Sequence, residues 1–348
     1  DRRTDRSLCH TKPLSKGACQ QNTSQQPTAT TSAAAMLQAW KLGARWSSTK
    51  VPKLTGIFPP ITTPFNSNGD VCYKSLEENL QLWSSVPFRG YVVHGSTGEC
   101  ALLNRHERLD ILKAVKRGVT DDKEIIVGVG LESTRDTVEL AKESAGLGAD
   151  AVLVVTPWFY KGHMTAAALE AHYVTVADQS PVPVVLYSVP SNTGVELLAE
   201  VVVRLAAHPN IVGFKDSGGD VSKLALIAHG TSDTGFKVLA GSAGFLLPAM
   251  EVGAAGGVCA LANVLGGPLC DLYDLHVRGD RDKARILQQR LVLPNIGVTK
   301  QFGIAGVKAA MEWFGFKGGP VRRPLLELDE EQRRQLMDAF VNNGFLPR

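Results

Sequence analysis

A single lysine, Lys215, closes the apolar run Ile211–Phe214, and side-chain alternation along a strand places it on the same face as Gly213. Burial among apolar groups favours the neutral amine, which is a nucleophile toward carbonyl carbon, whereas an ammonium is not. The pattern therefore predicts a lysine that forms an imine (a Schiff base). Spacing alone leaves open a second interpretation, in which Lys215 forms an ion pair with the adjacent Asp216 or with another nearby carboxylate.

A tyrosine and a glycine-bracketed turn carry the other candidate groups. Tyr187 ends the apolar run that precedes the Lys215 run, so its hydroxyl is expected to reach the same space and relay a proton. It is equally consistent with a buried aromatic whose hydroxyl meets any acceptor. The stretch Gly95–Glu99 (GSTGE) offers backbone N–H groups and the hydroxyls of Ser96 and Thr97. Such a turn suits a carboxylate or phosphate, although an ordinary strand-to-helix turn has the same appearance.

These groups need a scaffold, and the chain supplies eight short apolar runs separated by amphipathic stretches. The runs are Gly56–Ile61, Tyr91–Val93, Ile125–Val129, Ala151–Val155, Val182–Tyr187, Ile211–Phe214, Lys237–Ala240 and Gly257–Ala260. Their spacing of roughly 20–35 residues is that of a strand–helix unit. Continuously apolar strands are typical of a parallel sheet covered on both faces. We therefore predict an α/β fold, a (β/α)8 TIM barrel, with reactive groups at the carboxyl ends of the strands.

An open doubly wound sheet is the alternative architecture. It usually carries a glycine-rich turn after its first strand, where this chain has Thr62-Thr63-Pro64-Phe65. Helical patterns fill the intervals, including a capping box that begins at Asn104 with Glu107 three residues later. Four more helices are expected after the eighth run, at 268–278, 281–293, 299–314 and 330–342. We therefore divide the chain into a leader (1–53), the barrel (54–280) and a C-terminal helical appendage (281–348).

The leader differs from the rest of the chain in composition. Residues 1–53 carry nine basic and two acidic side chains, a net +7, so that the remainder carries −4 of the total +3. Residues 17–35 are polar and of low complexity, which predicts disorder. From Met36 the segment is basic, free of acidic residues and contains serines, as organellar presequences are. We expect a mitochondrial location, and the alternative is a disordered basic tail without an address.

Composition and spacing exclude several classes of protein. The folded part is mildly acidic, which argues against a nucleic-acid partner, and no apolar stretch approaches the ~18 residues that a membrane span needs. The six cysteines form no CxxC pair, and no HExxH motif is present, so neither a disulfide framework nor a zinc site is predicted.

Three motifs in order resemble the pyruvate-dependent aldolases related to dihydrodipicolinate synthase and N-acetylneuraminate lyase. They are Gly95–Glu99, Tyr187-x-x-Pro190 and Gly213–Ser217 (GFKDS), and the resemblance covers about residues 54–345. It implies that Lys215 forms an imine with the C2 carbonyl of a 2-oxo acid and that Tyr187 relays a proton. The substrate-binding residues that it implies are Ser96, Thr97, Ser217, Gly241 and Asn192.

The resemblance also implies the partners of the chain. The substrate is a small 2-oxo acid, and no cofactor or metal is needed, because the protonated imine nitrogen carries the charge that a metal would otherwise neutralise. No nucleic acid or membrane is involved, and the expected assembly is a homotetramer built as a dimer of dimers. Family members commonly lend a tyrosine from the loop after the fourth strand to the neighbouring subunit. Phe159 stands at that place here and Tyr160 follows it, so either Tyr160 substitutes or the relay is shorter.

Stretches such as PVVLYSVPSNTG and IVGFKDSGGDV are most similar to the family branch that cleaves 4-hydroxy-2-oxoglutarate to pyruvate and glyoxylate. Synthases usually carry an arginine two residues after the proline of the tyrosine motif, where this chain has Asn192. Thr97 departs from the cleaving branch, which carries asparagine there, and agrees with the synthases. The alternatives are synthase-type condensation of pyruvate with an aldehyde, N-acetylneuraminate lyase activity and a catalytically silent scaffold. Retention of Lys215 together with Tyr187 argues against the last of these.

Overall fold

Eight parallel strands form the centre of the computed structural model, which describes residues 51–347. The strands are β1 (Gly56–Phe58), β2 (Gly90–Val93), β3 (Glu124–Gly128), β4 (Ala151–Val155), β5 (Val184–Ser188), β6 (Ile211–Asp216), β7 (Lys237–Ala240) and β8 (Gly256–Val258). Each strand lies beside its neighbours in sequence, and β8 pairs with β1 from Gly56↔Gly256 to Phe58↔Val258. The chain thus curls round to its starting strand, as the eight apolar runs predicted.

The junction between β1 and β2 closes the barrel with hydrogen bonds just outside the strands. Ile61 donates to the carbonyl of Val92 at 3.0 Å, and Arg89 donates to the carbonyl of Ile57 at 3.1 Å. A parallel bridge joins Pro60 to Val92. The predicted TIM barrel is confirmed, and the open doubly wound sheet is excluded.

Twelve α-helices surround the barrel or follow it in the part of the chain that the structure describes. They are α1 (Tyr73–Trp83), α2 (Arg105–Gly118), α3 (Thr134–Gly146), α4 (Ala166–Gln179), α5 (Pro190–Thr193), α6 (Ala199–Leu205), α7 (Val221–Gly230), α8 (Leu246–Glu251), α9 (Ala262–Arg278), α10 (Arg281–Ile296), α11 (Gly303–Trp313) and α12 (Glu330–Val341). A π-helical turn, Gly297–Gln301, joins α10 to α11. Across residues 51–347 none of the helices combines the length and apolarity needed to cross a bilayer.

Local sequence explains where several helices begin. Asn104 accepts the Glu107 N–H at 3.0 Å and the Glu107 carboxylate accepts the Asn104 N–H at 2.9 Å, which is the predicted capping box of α2. Helix α9 begins at Ala262, earlier than the predicted start at Pro268. It bends at Leu265, whose backbone leaves the helical region (φ −112°, ψ 45°). Pro268 lacks the N–H that would bond to the preceding turn. The helix therefore kinks in the turn before Pro268 and does not begin at that residue.

The core consists of two layers separated by the sheet. One lies between the strands and the surrounding helices, and the other fills the barrel. The buried members of the inner layer are Leu54, Phe58, Val92, Ile126, Ala151, Leu153, Val185, Tyr187, Val189, Leu239 and Val258. The C-terminal helices α10 to α12 were predicted in outline. The division into segments 1–53, 54–280 and 281–348 remains a proposal, and the leader up to residue 50 lies outside the described residues.

Candidate active site

Lys215 lies at the carboxyl end of β6 and is 3% exposed. Its cross-strand neighbours are Tyr187 on β5 and Leu239 on β7, so two neighbouring strands flank its amine. The Nζ atom lies 3.9 Å from the centroid of the Tyr187 ring. Among residues 51–347 no carboxylate oxygen lies within 4.0 Å of this nitrogen. An amine that is buried and without a counter-ion is suited to nucleophilic attack on a carbonyl.

The carboxylate of Asp216 is held away from Lys215 by a different lysine. Its Oδ1 lies 3.0 Å from the Nζ of Lys223 on α7, and its Oδ2 accepts backbone N–H groups from Gly218 and Gly219. Lys223 also reaches Glu196 at 3.0 Å. Adjacent residues of a strand point to opposite faces, so Asp216 anchors the outer face of β6. The ion pair between Lys215 and Asp216 considered from the sequence is therefore not formed.

Tyr187 joins the lysine to the glycine-bracketed turn. The tyrosine is 4% exposed, and its hydroxyl lies 3.3 Å from the Oγ of Ser96. The phenol therefore contacts the Lys215 amine through its ring and the Ser96 hydroxyl through its oxygen. A hydroxyl pair at this separation can transfer a proton along one hydrogen bond. The structure thus brings together three of the predicted site residues: Lys215, Tyr187 and Ser96.

The turn that carries Ser96 is a short 3₁₀ segment, Ser96–Gly98, and its end is fixed by Glu99. Glu99 adopts a left-handed conformation (φ 55°) and donates its N–H to the Ser96 carbonyl at 3.1 Å. The Oγ1 of Thr63, on the loop after β1, donates to the Gly98 carbonyl at 2.8 Å. Gly98 has no room for a side chain, because an added Cβ would lie 2.9 Å from the carbonyl oxygen of Ile61. The turn is therefore packed tightly against the end of the first strand.

Ser217 and Gly241 lie on the other side of Lys215. The N–H of Ser217 donates to the Ser188 carbonyl at 2.9 Å, and its hydroxyl donates to the Gly241 carbonyl at 3.4 Å. A Cβ at Gly241 would stand 2.5 Å from the backbone carbonyl oxygen of Asp216 and 2.2 Å from the Ser217 Oγ. Glycine is therefore required at 241 for this close approach of the loops after β6 and β7.

Asn192 and Thr97 have no hydrogen bond to the lysine or the tyrosine in the described residues. Asn192 is exposed on the four-residue helix α5, and its Oδ1 accepts from the neighbouring Ser191 hydroxyl at 3.3 Å. Thr97 is half-buried within the turn of Ser96.

Phe159 and Tyr160 follow β4 and are 73% and 67% exposed, with ring centroids 5.0 Å apart. Neither of these two rings fills the single-chain site.

Two buried groups near the site are electrically neutral at ordinary pH. Burial raises the pKa of the Cys259 thiol to about 12, although the charge of Lys215 acts in the opposite direction. Burial, with a smaller contribution from Arg108, lowers the pKa of His94 to about 3. Neither group adds a charge beside Lys215 at neutral pH. In residues 51–347 no cluster of three His, Cys, Asp or Glu side chains is arranged to hold a metal ion.

Sequence reasoning missed the groups that hold the turn in place. Glu99 was part of a recognised motif without a role of its own, and its partner Lys308 lies on α11. Lys223, the partner of Asp216, was also missed. These pairings join side chains that are distant in sequence or lie on different elements, so spacing gives no signal for them. The one local signal is that Lys308 falls among small and apolar residues in Ala305–Met311 (AGVKAAM), and this pattern does not identify its partner.

Comparisons with known proteins agree with this geometry. Residues 53–342 match the model of the dihydrodipicolinate synthetase family. The chain belongs to that family. A 4-hydroxy-tetrahydrodipicolinate synthase from the archaeon Methanoculleus marisnigri is 34% identical over 83% of this chain and 99% of its own length. Members of the dihydrodipicolinate synthetase family are carbon–carbon lyases of the Schiff-base aldolase type that act on small molecules and are typically oligomeric.

Solved structures of bacterial members have the same fold. Dihydrodipicolinate synthase from Bacillus anthracis has a TM-score of 0.80 and 32% identity. The match covers 86% of this chain and 100% of that synthase. The synthase from Acinetobacter baumannii, solved in complex with pyruvate, has a TM-score of 0.80 and 31% identity. The match covers 84% of this chain and 100% of that synthase. These relatives carry the synthase name, not that of the branch that cleaves 4-hydroxy-2-oxoglutarate.

The predicted mitochondrial location is wrong on these comparisons. The curated relatives from Methanoculleus, Haloarcula and Halobacterium are archaeal, and the two solved structures are bacterial; none of these organisms has mitochondria. The segment that suggested the location, from Met36 onward, precedes the family match that begins at residue 53. Up to residue 50 it also lies outside the described residues. A basic, acid-free composition is shared by segments of many kinds and does not by itself identify a cellular location.

Proposed function

We propose that the chain cleaves 4-hydroxy-2-oxoglutarate to pyruvate and glyoxylate through an imine formed at Lys215. The observation that carries the imine chemistry is the position of the Lys215 amine: buried, without a carboxylate partner in the described residues, and against a tyrosine whose hydroxyl meets Ser96. The pyruvate complex of the Acinetobacter baumannii synthase supports a 2-oxo acid as the substrate.

Imine formation begins with attack of the neutral Lys215 amine on the C2 carbonyl. A carbon–nitrogen bond forms, and the carbonyl oxygen leaves as water after it has received protons. The hydroxyls of Ser96 and Thr97 and the N–H groups of their turn hold the C1 carboxylate, which orients C2 toward the amine. Ser217 and Gly241 close the other side of the substrate. The resulting protonated imine is an electron sink at C2.

Cleavage follows from that electron sink. The C4 hydroxyl of the substrate gives its proton to the relay of Tyr187 and Ser96, and the electrons of the C3–C4 bond move toward the imine nitrogen. Glyoxylate leaves with a new C4 carbonyl, and the remaining enamine takes a proton at C3. Water then attacks C2 and breaks the carbon–nitrogen bond, which releases pyruvate and restores the lysine. Every step uses groups of this chain and water.

Asn192 supports the cleavage reaction over condensation with a charged aldehyde. An exposed amide on α5 supplies neutral hydrogen bonds, whereas an arginine at this place would bind a second carboxylate through two charge-assisted bonds. Glyoxylate is small, and neutral donors such as Asn192 and Ser217 suffice to hold its carboxylate. The resemblance of PVVLYSVPSNTG to the cleaving branch points the same way.

Condensation of pyruvate with an aldehyde is the second candidate, and the names of the relatives favour it. The two reactions share Lys215 and Tyr187 and differ in the second substrate. Threonine at 97 is also the residue that the synthases carry there. N-acetylneuraminate lyase activity has no comparable observation in its favour.

One preparation of the protein decides between the two reactions. Pyruvate release from 4-hydroxy-2-oxoglutarate and condensation of pyruvate with aspartate semialdehyde are measured side by side as kcat/KM. We expect kcat/KM to be higher for the cleavage, by about tenfold or more, because the amide of Asn192 lacks a charge-assisted contact to a second carboxylate. A faster condensation would make the chain a synthase while leaving the lysine mechanism in place.

We also propose that the active assembly is a homotetramer. The exposed rings of Phe159 and Tyr160 beside the barrel mouth support a subunit contact there, because large exposed aromatics are typical of interfaces. Analytical ultracentrifugation of the protein, with Phe159→Ser as a variant, tests this assembly. A monomer with full activity would contradict it.

A further inference from the structure

A buried ion pair connects the C-terminal helical region to the Ser96 turn. The Nζ of Lys308 on α11 lies 2.6 Å from the Oε1 of Glu99, and the two side chains are 2% and 0% exposed. The ammonium also donates to the Pro320 carbonyl at 2.8 Å and lies 4.4 Å from the centroid of the Phe65 ring. Neither charged group reaches solvent, so each depends on the other for compensation.

The second carboxylate oxygen of Glu99 is held from the same region. Its Oε2 accepts the backbone N–H of Arg322 at 2.8 Å. The guanidinium of Arg322 donates to the carbonyls of Gly69 and Leu102 and to the Glu107 carboxylate of the α2 capping box. One arginine therefore ties the segment after α11 to the loop after β1, through Gly69, and to the loop after β2, through Leu102. Both oxygens of Glu99 are positioned by residues beyond position 300.

The backbone conformation of Glu99 explains why its contacts with Lys308 and Arg322 matter for the turn. A left-handed backbone is uncommon for a residue with a side chain and is retained only where the surroundings enforce it. Here the Glu99 N–H closes the turn on the Ser96 carbonyl, and the left-handed backbone of Glu99 then directs the chain into the next 3₁₀ segment, Cys100–Leu102. A buried ion pair adds little net stability compared with well-packed apolar residues, because both charges must be removed from water. Its distinctive effect is geometric, since it fixes one conformation.

We propose that Lys308 and Glu99 are positioning residues that hold Ser96 and Thr97 in the geometry that receives the substrate carboxylate. The C-terminal helical region then belongs to the recognition apparatus of the barrel. The ion pair touches neither Lys215 nor Tyr187, so it governs recognition of the carboxylate more than the reactivity of the amine. This inference rests on the proposed function, in which the Ser96 turn binds that carboxylate.

The test compares imine formation with pyruvate and with methyl pyruvate, which has the same carbonyl but no carboxylate. Adducts are trapped with borohydride on the full-length protein, and the ratio of the two trapping efficiencies measures recognition of the carboxylate. In Lys308→Met the ratio is expected to fall by about 10- to 100-fold, because the charge-assisted contacts of the carboxylate with the turn are lost. Trapping with methyl pyruvate is expected to change much less.

A matched control separates positioning from general destabilisation. His208 is also buried and lies next to the carboxylate of Asp178, at 3.0 Å, but it precedes β6 at the opposite end of the barrel. His208→Gln is expected to leave the pyruvate-to-methyl-pyruvate ratio unchanged, and the thermal stability of both variants is measured alongside. An equal fall of the ratio in both variants would overturn the proposal.

A double variant keeps the test decisive if Lys308→Met does not fold. Lys308→Met with Glu99→Gln removes both buried charges, while the side-chain amide introduced at position 99 retains an acceptor for the Arg322 N–H. The ratio of the double variant is expected to stay below that of the wild type. A folded double variant with the wild-type ratio would overturn the proposal. Wild-type protein that traps no pyruvate, or that does not discriminate against methyl pyruvate, would instead count against the proposed function itself.

Discussion

Lys215 and Tyr187 are opposite one another in the sheet because of a one-residue irregularity between β5 and β6. Val184 pairs with Ile211, but the next residue, Val185, pairs with Gly213, and this shift leads to the Tyr187↔Lys215 pair. An even register would have placed Tyr187 opposite Phe214, whose side chain belongs to the outer core. A one-residue slip exchanges the two faces of a strand. The extra residue in β6 is Val212, which has no partner in the β5–β6 register. It therefore places the Lys215 amine and the Tyr187 phenol on the same face of the sheet.

Replacement of Tyr187 by phenylalanine is expected to lower kcat by about 10²–10⁴, the usual contribution of a positioned proton transfer. The ring that packs on Lys215 is retained, so borohydride trapping of pyruvate should decrease less than turnover. The matched control is Tyr173→Phe, which removes another buried hydroxyl, one that donates to the Val154 carbonyl at 3.3 Å. Steady-state kinetics on both variants checks the prediction. Near-normal turnover in Tyr187→Phe would show that the tyrosine only lines the site and does not transfer a proton.

Asn192→Arg is expected to improve the use of an aldehyde that carries an α-amino carboxylate. A guanidinium offers the charge-assisted bonds that the amide lacks, so kcat/KM for aspartate semialdehyde condensation should rise by about 10- to 100-fold. Ser191→Arg adds the same charge one residue away on α5 and serves as the control. Equal effects from the two arginines would indicate general attraction and remove the specific role given to position 192.

Lys223→Met is expected to destabilise the barrel by leaving Asp216 as a buried charge without its ammonium partner. Breaking a buried ion pair in this way costs about 3–5 kcal/mol. Urea denaturation measures the loss. Lys113→Met, which removes a lysine paired with the exposed Asp110, is the surface control and should change the stability much less. Similar losses in both variants would contradict the anchoring role of Lys223.

The cysteines are expected to differ sharply in reactivity. A hydrogen bond from Ser75 lowers the pKa of the Cys72 thiol, whereas burial raises the pKa values of Cys259 and Cys270 to about 12. The thiolate is the reactive form, so Cys72 should be alkylated by iodoacetamide at a lower pH than either of the others. Peptide mapping after native-state labelling between pH 6 and 9 gives the order. Prior labelling of Cys259 would show that the barrel interior is open to solvent.

The sequence predicted the barrel because each strand and helix has a local pattern of its own. Apolar runs, a capping box at Asn104 and the lysine at the end of a strand are all properties of short segments. The register shift that aligns Tyr187 with Lys215 depends on two strands at once and left no such trace. The pairing of Glu99 with Lys308 depends on where the chain returns after the barrel is closed, so it also could not be predicted.

The most direct test of the account is the site of covalent attachment of pyruvate. The protein is incubated with pyruvate, reduced with borohydride, digested and analysed by mass spectrometry. We expect a single reduced pyruvate adduct, on Lys215, and none on the equally buried Lys223 or Lys308. Lys215→Ala should fold, lose turnover and give no adduct. An adduct of undiminished yield in Lys215→Ala, or its location on another lysine, would contradict the mechanism.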